Sequence, residues 1–156
     1  MEPIKVGERG ALFSLKDQEG NLLQLSSLSG RKVLLSFHPL AWTRVCSDQM
    51  LSLEANWEKF QRLNALPLGI SVDPVPSKRA WAESLGISKL RLLSDFWPHG
   101  EIASAYGLFR DAQGTSERAN VILNEQGVVI WVKVYPISQL PPIEEIFSFL
   151  VAEGEK

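Results

Sequence analysis

The sequence has a single cysteine, Cys46, in 156 residues. One cysteine excludes an internal disulfide and a CxxC redox pair, and it fits a reducing compartment, so the expected location is cytoplasmic. Only two histidines are present, His38 and His99, and neither stands at a ligand spacing from Cys46. No metal and no other cofactor is therefore expected. A charge excess is also missing: 16 Lys and Arg against 18 Asp and Glu leave −2, which does not suggest a nucleic-acid or anionic-membrane surface. No apolar run approaches the ~18 residues that span a bilayer. Residues Met1 to Gly10 mix charges and glycines without the apolar centre of a signal peptide. Repeats, linkers and low-complexity stretches are absent. The remaining composition is that of an ordinary globular chain, long enough for a proper core in one domain over residues 1–156.

The chemistry is concentrated between Val33 and Cys46. Val33-Leu34-Leu35-Ser36-Phe37 is β-prone and mostly apolar, the pattern of a buried strand. Pro39 then stops strand pairing, having no backbone N–H to donate. Thr43 is a helix-capping residue type and predicts a helix from about Arg44 or Val45. Cys46 falls in its first turn, where free N–H groups and the positive end of the helix dipole favour a thiolate. That is a nucleophile site. The competing reading of Cys46 is a small buried core residue.

On either side, the pattern predicts the elements that support this stretch. Phe13 to Leu25 alternates around a turn at Asp17 to Asn21, a β-hairpin, and Ser26 to Gly30 is a short turn. Cys46, Met50, Leu53, Trp57 and Phe60 make one apolar helix face that ends near Asn64, so Cys46 heads a buried stripe. Leu66 to Val72 reads as a second core strand. A helix from about Ser77 to Leu85 turns Ala80, Trp81 and Leu85 inward and stops at Gly86. Leu90 to Leu93 is a short strand, followed by a loop and a short helix through Ala103 to Tyr106. Arg118 to Leu123 and Gly127 to Val134 form a hairpin. Pro141-Pro142 opens a last helix with Ile143, Ile146, Phe147 and Leu150 inward. This order predicts an α/β chain of thioredoxin-like fold, a mixed central sheet flanked by helices with an extra N-terminal β-hairpin.

Pro39-Leu40-Ala41-Trp42-Thr43-Arg44-Val45-Cys46 resembles the signature of the peroxiredoxin family: a proline, three residues, a threonine or serine, two residues and the peroxidatic cysteine. The likeness continues through Val6-Gly7, Ile70 to Asp73, Leu92 to Phe96 and Tyr106-Gly107, and covers nearly the whole chain. Pro-Leu-Ala-Trp-Thr and the length are most similar to the one-cysteine, alkyl hydroperoxide reductase E-like group. Three positions depart from the family pattern. His38 stands where an aromatic is usual, Gly10-Ala11-Leu12 lacks an early proline, and Gln49 replaces a frequent glutamate that helps orient an arginine.

The resemblance implies reduction of hydrogen peroxide or organic hydroperoxides to water or alcohols, and a homodimer. It gives Arg118 the part of the second active-site arginine, which the residue pattern alone leaves as a surface arginine at a strand start. A free thiol titrates near ~8.5, so Cys46 needs help to ionise at neutral pH; the helix N-terminus and Arg118 supply it, against desolvation. Thr43 is expected to direct its hydroxyl toward sulfur or peroxide as well as cap the helix. Pro39 is expected to shield the pocket from water, and the backbone N–H groups of Val45 and Cys46 to complete the oxygen site. Trp42, Trp81 and Trp97 read as packing or a pocket rim. With no second thiol in the chain, an external one must resolve the sulfenic acid: a low-molecular-weight thiol, or a partner of thioredoxin or glutaredoxin type. The other reading is a redox sensor or partner-binding protein that uses oxidation of Cys46 as a signal. A disulfide oxidoreductase is disfavoured by the missing CxxC.

Overall fold

A computed structural model describes residues 1–156. The N-terminal hairpin forms as β1 (Ser14–Lys16) and β2 (Leu22–Gln24). Asp17 fastens its turn by accepting from the N–H groups of Glu19 and Asn21. A 3-10 turn at Leu25–Leu28 leads to β3 (Lys32–Phe37), then to helices α1 (Arg44–Ala55) and α2 (Trp57–Arg62). Next come β4 (Ala65–Ser71), α3 (Val75–Leu85), β5 (Arg91–Ser94) and α4 (Glu101–Ala105). A small ribbon of β6 (Phe109–Arg110) and β7 (Thr115–Ser116) precedes β8 (Arg118–Leu123), β9 (Val129–Tyr135) and α5 (Ile143–Gly154).

Seven strands make one sheet in the order β2-β1-β5-β4-β3-β8-β9. The three central strands β3, β4 and β5 run parallel, and the flanking pairs are antiparallel. This is the predicted mixed sheet, thioredoxin-like in its parallel centre, with the hairpin joined to β5 through Lys16 and Ser94.

Period-two alternation sends the strands' side chains into two cores. Val33, Leu35 and Phe37 of β3 join Ala119, Val121 and Leu123 of β8 on one face, with Tyr106 and Leu108. Leu34 and Ile122 point to the other face, where Cys46, Met50 and Leu53 of α1, Trp81 of α3 and Phe147 of α5 cover them. The polar residues in phase with Leu34 and Ile122 are Ser36, His38, Arg118 and Asn120. They therefore lie on the Cys46 side of the sheet. Gly69 of β4 also belongs there: a Cβ on it would run into Met50 and Leu92, so α1 lies close over this strand only because the residue is glycine.

Four local expectations are corrected. The helix read as continuous from Cys46 to Phe60 breaks at Asn56. That residue leaves helical geometry (φ −104°, ψ 17°), and its side-chain amide donates to the Ser52 carbonyl at 2.8 Å. Trp57 consequently leaves the buried stripe and is only half-buried. Helix α3 starts at Val75, two residues early, because Pro76 occupies a first-turn position where its missing N–H is not needed. Its inward residues are Lys78, Trp81 and Ala82; Ala80 is exposed and Leu85 only half-buried. β9 begins at Val129, not Gly127, since Asn124 and Gly127 (φ 79°) are used by the turn. The β6–β7 ribbon was not anticipated.

Candidate active site

β3 ends at Phe37, and the chain crosses to α1 through a loop that holds Pro39 buried. Asp73, just past β4, fixes this loop by accepting from the Ala41 N–H at 2.8 Å and the Ser71 hydroxyl at 2.5 Å. Within the loop Trp42 takes a left-handed conformation (φ 72°), and its indole N–H donates to the Ser77 hydroxyl at 3.1 Å. Thr43 is the residue that precedes α1, as expected, but its side chain does not cap the helix. The hydroxyl donates backwards to the Leu40 carbonyl at 2.7 Å instead. The Thr43 carbonyl accepts from the Ser47 N–H and the Ser47 hydroxyl, which ties the first turn together.

Cys46 lies in that first turn and is fully buried. The N–H groups of Val45 and Cys46 belong to the same turn and have no intrahelical acceptor. Arg118, at the start of β8 and 3% exposed, turns its guanidinium toward them. Its Nη1 donates to Cys46 Sγ at 3.3 Å and to Gln49 Oε1 at 2.8 Å, while Nε donates to the Ile137 carbonyl at 2.9 Å. The Cys46–Arg118 approach spans 72 residues of sequence and rests on β8 pairing with β3, Phe37 opposite Ala119.

Gln49 replaces the missing carboxylate with an amide that works in both directions. Its carbonyl oxygen accepts from Arg118, and its Nε2 donates to the Ser36 hydroxyl at 2.7 Å and the Phe37 carbonyl at 3.2 Å. Ser36 passes its own proton to Asn120 Oδ1 at 2.7 Å. The chain Arg118–Gln49–Ser36–Asn120 links α1, β3 and β8, and each buried polar atom in it has a partner. Sequence reasoning missed Ser36 and Asn120, although both stand opposite one another in the β3–β8 register and share the face of Arg118.

Two further buried groups adjoin the site. His38 continues the β3 face one residue past Phe37, just before Pro39, and packs on Trp81, ring centroids 5.3 Å apart. Neither ring nitrogen has a hydrogen-bond partner. Burial, with Lys78 and Arg118 nearby, holds its pKa well below the usual histidine value, so the ring is neutral. Lys78 of α3 is fully buried as well, and its Nζ is also unpartnered. Trp81 belongs to the core and donates to the Ser47 hydroxyl at 3.2 Å, whereas Trp42 and Trp97 are exposed. No three His, Cys, Asp or Glu side chains stand close enough to hold a metal ion.

A thiol clasped by a guanidinium at a helix N-terminus, out of contact with water, is suited to nucleophilic attack on an electrophile that leaves as an anion. The family model described as AhpC/TSA matches residues 6–132. Alkyl hydroperoxide reductase E of Mycobacterium tuberculosis is 36% identical over 127 residues, 81% of this chain and 82% of that protein. A peroxiredoxin of Thermoplasma volcanium is 30% identical over 155 residues, 96% of this chain and 75% of its relative. Among solved structures, the reduced 2-Cys peroxiredoxin of Plasmodium vivax superimposes with a TM-score of 0.90 at 26% identity, over 98% of this chain and 83% of that one. AhpC of Enterococcus faecalis has the same fold, with a TM-score of 0.88 at 22% identity over 96% and 92%. With a family match across most of its length and a relative above 30% identity, the chain belongs to the AhpC/TSA family: it is a peroxiredoxin, a thiol-dependent peroxidase.

Proposed function

We propose that Cys46 reduces hydrogen peroxide or an organic hydroperoxide in a one-cysteine cycle. The Cys46 thiolate attacks the distal oxygen, the O–O bond breaks, and Cys–S⁻ with RO–OH becomes Cys–S–OH with RO⁻. The departing oxide takes up a proton to leave as water or alcohol. A first external thiol then condenses with the sulfenic acid, releasing water and forming a mixed disulfide. A second thiol attacks that disulfide and returns Cys46 as a thiol. A low-molecular-weight thiol or a small protein dithiol of thioredoxin or glutaredoxin type fits this need, since Cys46 is the only cysteine in the chain.

The observation that carries the reading is the Arg118 Nη1 donation to Cys46 Sγ within a buried site. Arg118 favours the thiolate in the ground state and is placed to stabilise charge on the peroxide oxygens as the O–O bond breaks. Thr43 has its hydroxyl proton committed to Leu40, which leaves the oxygen free to accept from the peroxide O–H. The unpaired N–H groups of Val45 and Cys46 donate to peroxide oxygen, and buried Pro39 keeps water off the sulfenic acid. We assign a homodimer, supported by the exposed apolar side chains of Leu22, Phe96 and Trp97, which line one surface pocket together. Sedimentation at micromolar protein should give twice the chain mass, and a monomer there contradicts it.

Rapid mixing of reduced protein with sub-stoichiometric peroxide tests the cycle. One thiol should be consumed per peroxide, far faster than by free cysteine, and added thiol should restore it. A rate no faster than that of free cysteine would overturn the reading.

A further inference from the structure

We propose that Lys78 is a second cation of the Cys46 site, a positioning residue that stabilises the thiolate from the β5 flank of β3, opposite the β8 flank that carries Arg118. The proposal rests on the reading of Cys46 as a reactive thiolate.

The topology supplies two flanks. Arg118 comes from β8 on one side of β3, whereas α3 packs on β5 and brings Lys78 from the other. Lys78 and Trp81 stand three residues apart on the inward face of α3. Trp81 packs on His38 and donates to the hydroxyl of Ser47, the residue after Cys46, so this face lies against the base of the site.

Lys78 has no exposed surface and Nζ has no hydrogen-bond partner. A buried ammonium in that state needs an anion, and the neighbouring groups can be taken in turn. From the loop before α3, Asp73 contributes a carboxylate, which accepts from Ala41 and Ser71 and not from Nζ. From the loop after β5, Asp95 accepts from the N–H groups of Ile102 and Ala103. His38, beyond β3, is neutral and offers no charge. The third neighbouring acid is Cys46 of α1; Nζ donates to none of the three, and of them only the thiol lies at the head of α1 beside Ser47, against which the inward face of α3 packs. Burial pushes the Lys78 pKa from 10.5 down to about 7, and Asp73, Cys46 and Asp95, in that order, oppose the fall. Lysine and thiol are thus coupled: a proton leaving Cys46 raises the hold of Lys78 on its own.

Thiolate ultraviolet absorbance, parent minus Cys46→Ser, gives the ionisation midpoint without requiring a reagent to enter. In Lys78→Met that midpoint should rise, with the thiolate fraction at a fixed acidic pH falling about tenfold, and Lys78→Arg should restore it. The reciprocal measurement needs no Lys78 variant to fold. Nitrogen-15 side-chain resonances of lysine, followed in parent and Cys46→Ser, should show the Lys78 protonation equilibrium weakened about tenfold once the thiolate is removed. Coincident midpoints in either pair would overturn the proposal; a lysine that only fills space moves neither. Peroxide reactivity of the parent is measured alongside. No fast peroxide reaction with shifted midpoints would fell the peroxidase cycle and leave Lys78 in its role, and fast reaction with unmoved midpoints would do the reverse.

Discussion

Arg118 and Lys78 are both buried basic residues, one from β8 and one from α3, and the protein treats them in opposite ways. Arg118 donates to Cys46, Gln49 and the Ile137 carbonyl, and Gln49 is held in turn by Ser36 and the Phe37 carbonyl. Lys78 donates to nothing. A cation with hydrogen bonds on several sides keeps most of the energy it loses on leaving water, whereas one without them does not. The first arrangement fixes geometry for chemistry; the second is a standing cost to the fold.

The sharpest break in that contrast is Lys78→Met. A lysine whose folded pKa lies near 7 and whose unfolded value is 10.5 binds fewer protons folded than unfolded between those values. Its penalty is absent above about pH 10.5, grows as pH falls to about 7 and is constant below, up to a ceiling of about 5 kcal/mol. Lys78→Met should therefore raise the unfolding free energy in denaturant titrations at neutral pH, with the gain shrinking as pH rises toward 10. A variant less stable than the parent at pH 7 would show that Nζ has a partner after all.

Arg118→Ala should act the other way. It should slow peroxide oxidation of Cys46 about a hundredfold or more, by analogy with loss of a charge-stabilising donor. Stability should fall by only about 1–3 kcal/mol, from the acceptors left on Gln49 and Ile137. Equal oxidation rates in variant and parent would remove Arg118 from the mechanism.

Gln49→Glu sharpens the comparison at the level of the network. Glutamate restores an ion pair with Arg118 but cannot donate to the Phe37 carbonyl, so it sets oxygen against oxygen where Nε2 now sits. The expected result is a loss of about 1–2 kcal/mol in thermal unfolding, despite the added ion pair. A more stable variant would mean that the pair outweighs the lost donor.

The smallest effect concerns His38. Its pKa is held below the ordinary histidine value, so the unfolded chain takes up a proton that the folded chain refuses. Stability falls as pH drops below about 6.5. His38→Phe should shrink the drop in melting temperature between about pH 7 and pH 5. An unchanged drop would place the acid sensitivity elsewhere.

Legibility followed distance along the chain. The β3 strand, the Pro39 loop and Cys46 in the first turn of α1 are readable because strand pattern, proline and a cap-type residue at Thr43 are local signals, although the Thr43 hydroxyl bonds Leu40 and not the helix. That Arg118 reaches Cys46 depends on the pairing of β8 with β3, a contact between distant segments that alternation alone does not specify; the family resemblance supplied it. The Ser36–Gln49–Asn120 links need the same register and went unseen. At Gln49 the sequence shows only a charge missing from the family pattern; that the amide donates and accepts at once depends on where its partners sit in space. Lys78 is illegible for a physical reason: lysine is rarely buried without a partner, so the pattern of apolar residues points the inward face of α3 through Ala80, Trp81 and Leu85, and only Trp81 of the three is buried.

Intact-mass analysis of the protein after sub-stoichiometric peroxide, with and without added thiol, tests the central claim most directly. The account predicts one added oxygen on Cys46, absent in Cys46→Ser, converted by a monothiol to a mixed disulfide and then back to the starting mass. A mass that stays unchanged while peroxide persists, or an added oxygen that also appears in Cys46→Ser, would contradict it.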